Sequence, residues 1–238
     1  MTTRPNIIFI MADDHAAQAI SAYGSRVNRT PQLDRIADEG VRLDAVFCTN
    51  SICSPSRASI LTGTYSHING VSSIWTELDY RVPTFIDVLQ AGGYRTAMFG
   101  KWHLGEHGDS LPRGFDAWKI FPGQGDYVDP EMIDQHGASH VSGYATDIVT
   151  DLSIDWIDGL GEDEPFCVMV HHKAPHRPWI PDEKHKHPLC RRQHPRARDV
   201  LRRLRDAQHG GARGAHDDRR RHGFRGPQVR GPRASQGP

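Results

Sequence analysis

The chain has 238 residues, 37% of them hydrophobic and 24% charged, a length ample for a buried core. Its formal net charge of zero joins unlike parts: residues 1–187 carry 15 Lys+Arg against 25 Asp+Glu, and residues 188–238 carry 14 against 4. No run of residues approaches the ~20 apolar positions of a membrane span; the first apolar run ends at two aspartates, and Cys48, Cys53, Cys167 and Cys190 are too few and too irregularly spaced for a disulfide framework, so no secretory leader is expected and the setting is read as reducing and cytoplasmic.

Asn6 to Ala12 (NIIFIMA) is an almost continuous apolar run suited to a central strand. Thr30 and Pro31 mark a helix start, Leu33, Ile36 and Ala37 share one face, and Gly40 supplies the stop. Val82, Phe85, Ile86 and Leu89 follow helical spacing up to Gly92-Gly93, and Tyr94 to Phe99 reads as the next strand. Gly105 to Gly143, rich in Gly, Pro and aromatic residues, is expected to be a long ordered excursion over the sheet edge, without regular structure. A helix from Tyr144 to about Ile157 and a strand from Phe166 to Val170 complete the alternation. That rhythm predicts an α/β domain over residues 1–187, with a mostly parallel central sheet covered by helices on both faces.

Residues 188–238 change character: 14 arginines, no lysine, one aromatic residue (Phe224) and many Gly and Pro. So little apolar surface cannot offset the entropy of ordering, and this stretch is expected to be a disordered tail. A basic tail suggests nucleic acid, but it lacks aromatic interleaving and any recognisable module. Its composition is also that of GC-rich DNA translated in the wrong frame, and a frameshifted tail in place of a true C-terminal half is the expectation.

Three segments carry chemistry. In CSPSRASILTG, Ser54 is expected to cap a helix begun by Pro55, leaving Cys53 just before a helix N-terminus with Arg57 about one turn on, so that a nucleophile and an anion site coincide. Asp13 and Asp14 follow the first strand at the carboxyl end of the sheet, where adjacent carboxylates can hold a hard divalent cation. GKWHLG places Lys101 and His103 two residues apart at the end of a strand, and HHKAPHRPW adds His171, His172 and His176 after the strand FCVMV. Taken singly, each is more often a buried cysteine, a solvated loop or a bystander histidine.

Together these segments resemble the type I sulfatases, with Cys53, Pro55, Ser56 and Arg57 meeting every position of the Cys-x-Pro-Ser-Arg signature, and Leu61, Thr62 and Gly63 its ending. The resemblance implies an alkaline-phosphatase-like fold and hydrolysis of sulfuric esters. It implies that a maturation enzyme oxidises Cys53 to formylglycine, whose hydrate attacks sulfur through one hydroxyl and expels sulfate with the help of the other. It further implies that Asp13, Asp14 and residue 53 ligate Ca2+ or Mg2+, that Lys101 binds sulfate, and that His103 contacts the formylglycine or the sulfate. His176, in Ala-Pro-His, corresponds to the histidine that binds sulfate or protonates the leaving oxygen, work suited to a reference pKa of ~6.5.

The aromatic loop and PHRPW resemble sulfatases acting on sulfated sugars, with Phe115, Trp118 and Tyr127 open to either sugar stacking or core packing. The resemblance covers residues 1–187, about the N-terminal half of such an enzyme. The later Asp with Asn or His, and a further sulfate-binding lysine, find no match in residues 188–238, so the domain is expected to be incomplete and this polypeptide inactive. The rivals are a phosphonate or phosphate monoester hydrolase of the same superfamily and a non-catalytic nucleic-acid-binding protein.

Overall fold

The computed structural model describes residues 4–26 and 28–190. The chain divides into two units, Met1–His187 and Pro188–Pro238. Apart from three residues, the expected tail lies outside the described residues.

Six strands form one mixed sheet: β1 (Ile7–Ala12), β2 (Arg95–Lys101), β3 (Ala117–Phe121), β4 (Glu131–Asp134), β5 (Gly137–His140) and β6 (Phe166–His172), in the order β1-β6-β2-β3-β4-β5. β1, β6, β2 and β3 run parallel, and β4 and β5 add an antiparallel edge. The alternation of side chains along a strand divides the core in two. In β2 and β6, Met98, Cys167 and Met169 point to the face covered by α2 (Cys53–Thr62) and α4 (Phe85–Ala91), where they meet Ala58, Leu61 and Ile86. Ala97, Phe99, Phe166, Val168 and Val170 point to the other face, against Ala145, Ile148 and Val149 of α5 (Ala145–Asp158). Leu152 and Trp156 of α5 continue that contact at one-turn intervals, as their spacing predicts. The doubly covered α/β sheet is therefore the architecture expected.

Three expectations are corrected. β1 is not central: among the described residues it pairs only with β6, and while Ile7 and Phe9 face the core, Ile8 and Ile10 are exposed. Gly105 to Gly143 is not an irregular excursion, since β3, β4 and β5 all lie within it. Their brevity, and in EMID and GASH their polar residues, conceal them among turn residues. Finally, α2 begins at Cys53 with Ile52 as N-cap, not Ser54. A proline is accepted anywhere in a first helical turn, because the N–H it lacks has no partner there, so Pro55 can sit third.

The other helices are α1 (Pro31–Glu39), α3 (Ser66–Asn69) and α6 (Glu183–Cys190). Helix α4 starts later than its apolar spacing suggested, at a capping box: Thr84 Oγ1 accepts from the Asp87 amide at 3.3 Å while Asp87 accepts from the Thr84 amide at 2.8 Å. Among the described residues no helix is long and apolar enough to cross a membrane.

Candidate functional site

The carboxyl ends of β1, β2 and β6 converge on the N-terminus of α2. Asp13 leaves β1 with its amide donating to Ala174 O at 3.2 Å, and its carboxylate is turned inward, 8% exposed. Asp14 adopts a left-handed φ of 62°, which a short Asp side chain tolerates, and is largely exposed, with Oδ2 3.8 Å from His176 Nε2. Cys53, in the first turn of α2, stands with Sγ 3.8 Å from Asp13 Oδ1 and 3.7 Å from Lys101 Nζ.

Beneath them Arg57 is 4% exposed. Its guanidinium reaches Asp13 Oδ2 at 3.3 Å and His171 Nδ1 at 3.2 Å, and it donates to the carbonyl oxygen of Lys101. Lys101, the last residue of β2, is fully buried and forms an ion pair with Asp13. Burial works to raise the Asp13 pKa, but the Lys101 hydrogen bond and the charges of Lys101 and Arg57 prevail and hold it below the usual carboxylate range. Asp13 is thus an anion locked between two cations.

The neighbouring Gly100 is required by packing: its φ is 103°, and a Cβ there would collide with the carbonyl of His171 on β6. This close approach sets Lys101 beside the end of β6. His103 does not continue the extended segment assumed from sequence, because its φ is 55°. It reaches the cluster through Gln124, whose Nε2 lies 3.5 Å from His103 Nε2 and whose Oε1 accepts from Lys101 Nζ. Burial first, and then the charges of Lys101 and Arg57, push the His103 pKa down to about 4, so its ring is neutral near pH 7.

His176 is buried, and its Nδ1 lies 2.7 Å from Arg177 O. A carbonyl can only accept, so the proton sits on Nδ1 and Nε2 is free for proton transfer, 3.8 Å from Asp14 Oδ2. His171 instead lies under the site against Arg57, its pKa depressed by complete burial and by that charge. All seven positions singled out from sequence, Asp13, Asp14, Cys53, Arg57, Lys101, His103 and His176, therefore gather at one end of the sheet.

Two residues of the cluster escaped the sequence reading. Gln124 lies between Gly123 and Gly125, both at positive φ, in the turn after β3. Lys173, 4% exposed, donates to Gln124 O at 3.0 Å and sits 5.0 Å over the ring of Tyr127. A lysine one residue beyond a buried apolar strand was the available signal for Lys173; Gln124 carried none beyond its flanking glycines. Tyr127 is 3% exposed, and Phe115 and Trp118 pack on the core, so the aromatic loop is structural.

A cavity of about 520 Å³ opens over the cluster, lined by Asp13, Asp14, His15, Ile52, Cys53 and Arg57 among others. Its carboxylate oxygens suit a hard cation in kind. Among the described residues, however, no group of three or more His, Cys, Asp or Glu is arranged to hold a metal ion, so the donors present fit the cation in type and fall short in number.

The family model named Sulfatase matches residues 5–204. An N-acetylglucosamine-6-O-sulfatase from Bacteroides thetaiotaomicron is 48% identical over 187 residues, covering 77% of this chain and 33% of that protein. Arylsulfatase G from Rattus norvegicus is 43% identical over 126 residues, half of this chain and 24% of that one. A solved structure in complex with its substrate D-glucosamine-2-N,6-O-disulfate superposes with a TM-score of 0.73 at 47% identity, covering 77% of this chain and 37% of its own. The chain thus spans between about a quarter and just over a third of the length of these relatives. On the family match, and on the Cys53–Arg57 motif set beside Asp13 and Lys101, the chain belongs to the sulfatase family.

Proposed function

We propose that this chain forms the nucleophile side of a sulfuric ester hydrolase acting on sulfated sugars, with glucosamine 6-O-sulfate esters as the substrate class. The observation that carries the reading is the position of Cys53 Sγ, 3.7 Å from the Lys101 ammonium and 3.8 Å from the Asp13 carboxylate. The sugar class rests on what the two most similar relatives named above are described as acting on.

Residue 53, oxidised to formylglycine by a maturation enzyme, would supply a hydrated aldehyde as the nucleophile. Asp13, Asp14 and residue 53 would hold Ca2+, with Mg2+ as the alternative, and the cation would polarise the sulfate ester. The remaining work belongs to side chains of this chain. Lys101 balances the sulfate charge from a fully buried position, where the low dielectric strengthens the attraction. Arg57 keeps Asp13 ionised and fixed, and its hydrogen bond to the Lys101 carbonyl fixes the end of β2 as well. His103, neutral at pH 7, offers a hydrogen bond without adding charge. His176, with its proton on Nδ1, presents Nε2 for proton transfer to the leaving oxygen once that nitrogen is protonated.

The test is coexpression of a length-restored version of the chain with a formylglycine-generating enzyme, followed by assay of glucosamine 6-sulfate and of matched aryl sulfate and aryl phosphonate. Sulfate release that Cys53→Ala abolishes is the expected result. Turnover that survives Cys53→Ala, or that favours the phosphonate, would overturn the proposal.

A further inference from the structure

A second cavity, of about 260 Å³, has His103 of the cluster as one wall; Trp75, Glu77, Glu106, His107 and Gly123 also line it. Trp75 is 86% exposed. An indole left in water at that level gives up a large favourable burial, and here it does so on a rigid turn. The Trp75 amide donates to Ser73 Oγ at 3.2 Å, Ser73 Oγ pairs with Thr76 Oγ1 at 3.0 Å, and the Leu78 amide donates to Leu104 O at 2.8 Å, one residue beyond His103. The turn that carries Trp75 is thereby fastened to the segment that carries His103. Glu106 spends one carboxylate oxygen on the Gly123 amide, and the Glu77 carboxylate has no protein partner among the described residues.

We infer that this cavity is the subsite for the sugar ring that bears the scissile sulfate, with Trp75 as its stacking wall and Glu77 and Glu106 as acceptors for its hydroxyls. The inference rests on the sulfatase reading above. A sugar ring has an apolar C–H face and a polar rim. It needs a flat aromatic surface on one side and hydrogen-bond acceptors at the edge, and both are present within reach of His103. A cavity of about 260 Å³ can seat one sugar ring. The larger cavity has a different wall: beyond Asp13, Asp14, Cys53 and Arg57 it offers Met11, Ala12, Ala16 and Ile52, with no aromatic platform.

The test uses the whole chain with Cys53 unmodified, verified by intact mass, so that ligands bind without turnover. Inorganic sulfate and glucosamine 6-sulfate are titrated separately by calorimetry with calcium present, into the parent chain, Trp75→Ala and Trp75→Phe. The sugar sulfate should bind the parent more tightly than inorganic sulfate. Trp75→Ala should weaken the sugar sulfate about two- to tenfold, the span of a single aromatic stack, and leave inorganic sulfate unchanged. Trp75→Phe should restore most of the loss. Circular dichroism checks that the exposed position tolerates the change. If Trp75→Ala binds both ligands as the parent does, or weakens both alike, the subsite is wrong while the sulfatase reading stands. If the parent binds neither ligand, the proposed substrate class falls and takes this inference with it.

Discussion

The ammonium of Lys101 lies 3.7 Å from the sulfur of Cys53 and is ion-paired with Asp13, although Lys101 itself has no exposed surface. A buried charge of this kind is tolerated only while its partner is present. Lys101→Ala leaves Asp13 with Arg57 alone, and truncating one member of a buried pair should cost about 3 kcal/mol. Urea denaturation of the variant measures this directly. A loss under 1 kcal/mol would mean that water reaches Asp13 and that Lys101 is not a structural partner. Anion affinity should fall in the same variant, because the removed charge lies 3.7 Å from Cys53 Sγ.

Gln124 is expected to act as a positioning residue. Its side chain receives Lys101 Nζ, its Nε2 lies 3.5 Å from His103, and its carbonyl receives Lys173. In a matured, length-restored enzyme Gln124→Ala should lower kcat about tenfold or more while KM changes less, since small misplacements of catalytic groups are costly. Gln124→Glu keeps the acceptor for Lys101 and should recover part of kcat. Equal loss in both variants would reduce Gln124 to a loop-packing role.

The histidines set a pH limit. His103, His171 and His172 all have depressed pKa values, with burial as the largest cause in each case and nearby positive charge added for His103 and His171. In the unfolded chain each titrates near ~6.5. Between that value and the folded value, about 4 for His103, the unfolded chain binds more protons, so stability is lost as pH falls through the window. Asp13, whose pKa is lowered, adds stability that is lost only in the more acidic carboxylate range. Melting temperature should therefore drop between about pH 7 and pH 5, and His103→Asn should flatten part of the slope. A flat profile would mean that these rings titrate as they do in the unfolded chain.

The parts legible in the sequence are those set by local chemistry. Parallel strands buried on both faces appear as apolar runs, so β2 and β6 were found with their C-terminal ends two residues short, and α5 was found from a four-residue repeat. The Cys-Ser-Pro-Ser-Arg motif, the Asp pair and the Lys-Trp-His segment were visible as strings and do meet in space. What stayed hidden depends on long-range pairing. The strands β3 to β5 are short and partly polar, and only their neighbours make them strands. Gln124 gains its place from Lys101 and His103, 23 and 21 residues away along the chain. The left-handed turn at His103 was equally unreadable, because a non-glycine residue gives no local sign of it.

β1 provides the last test, because its apolar sequence and its position disagree. Ile8 and Ile10 are 54% and 58% exposed on a strand that, among the described residues, has only β6 beside it. An apolar, unpaired edge invites strand addition by another molecule. Replacing both residues by threonine keeps β-branching and strand propensity while removing apolar surface from that face. Exposed positions contribute little to folding, so stability should shift by no more than about 0.5 kcal/mol per site, whereas light scattering at a fixed protein concentration should fall. If instead the double variant unfolds at markedly lower urea, Ile8 and Ile10 are covered in solution, and the face is an internal contact instead of an open edge.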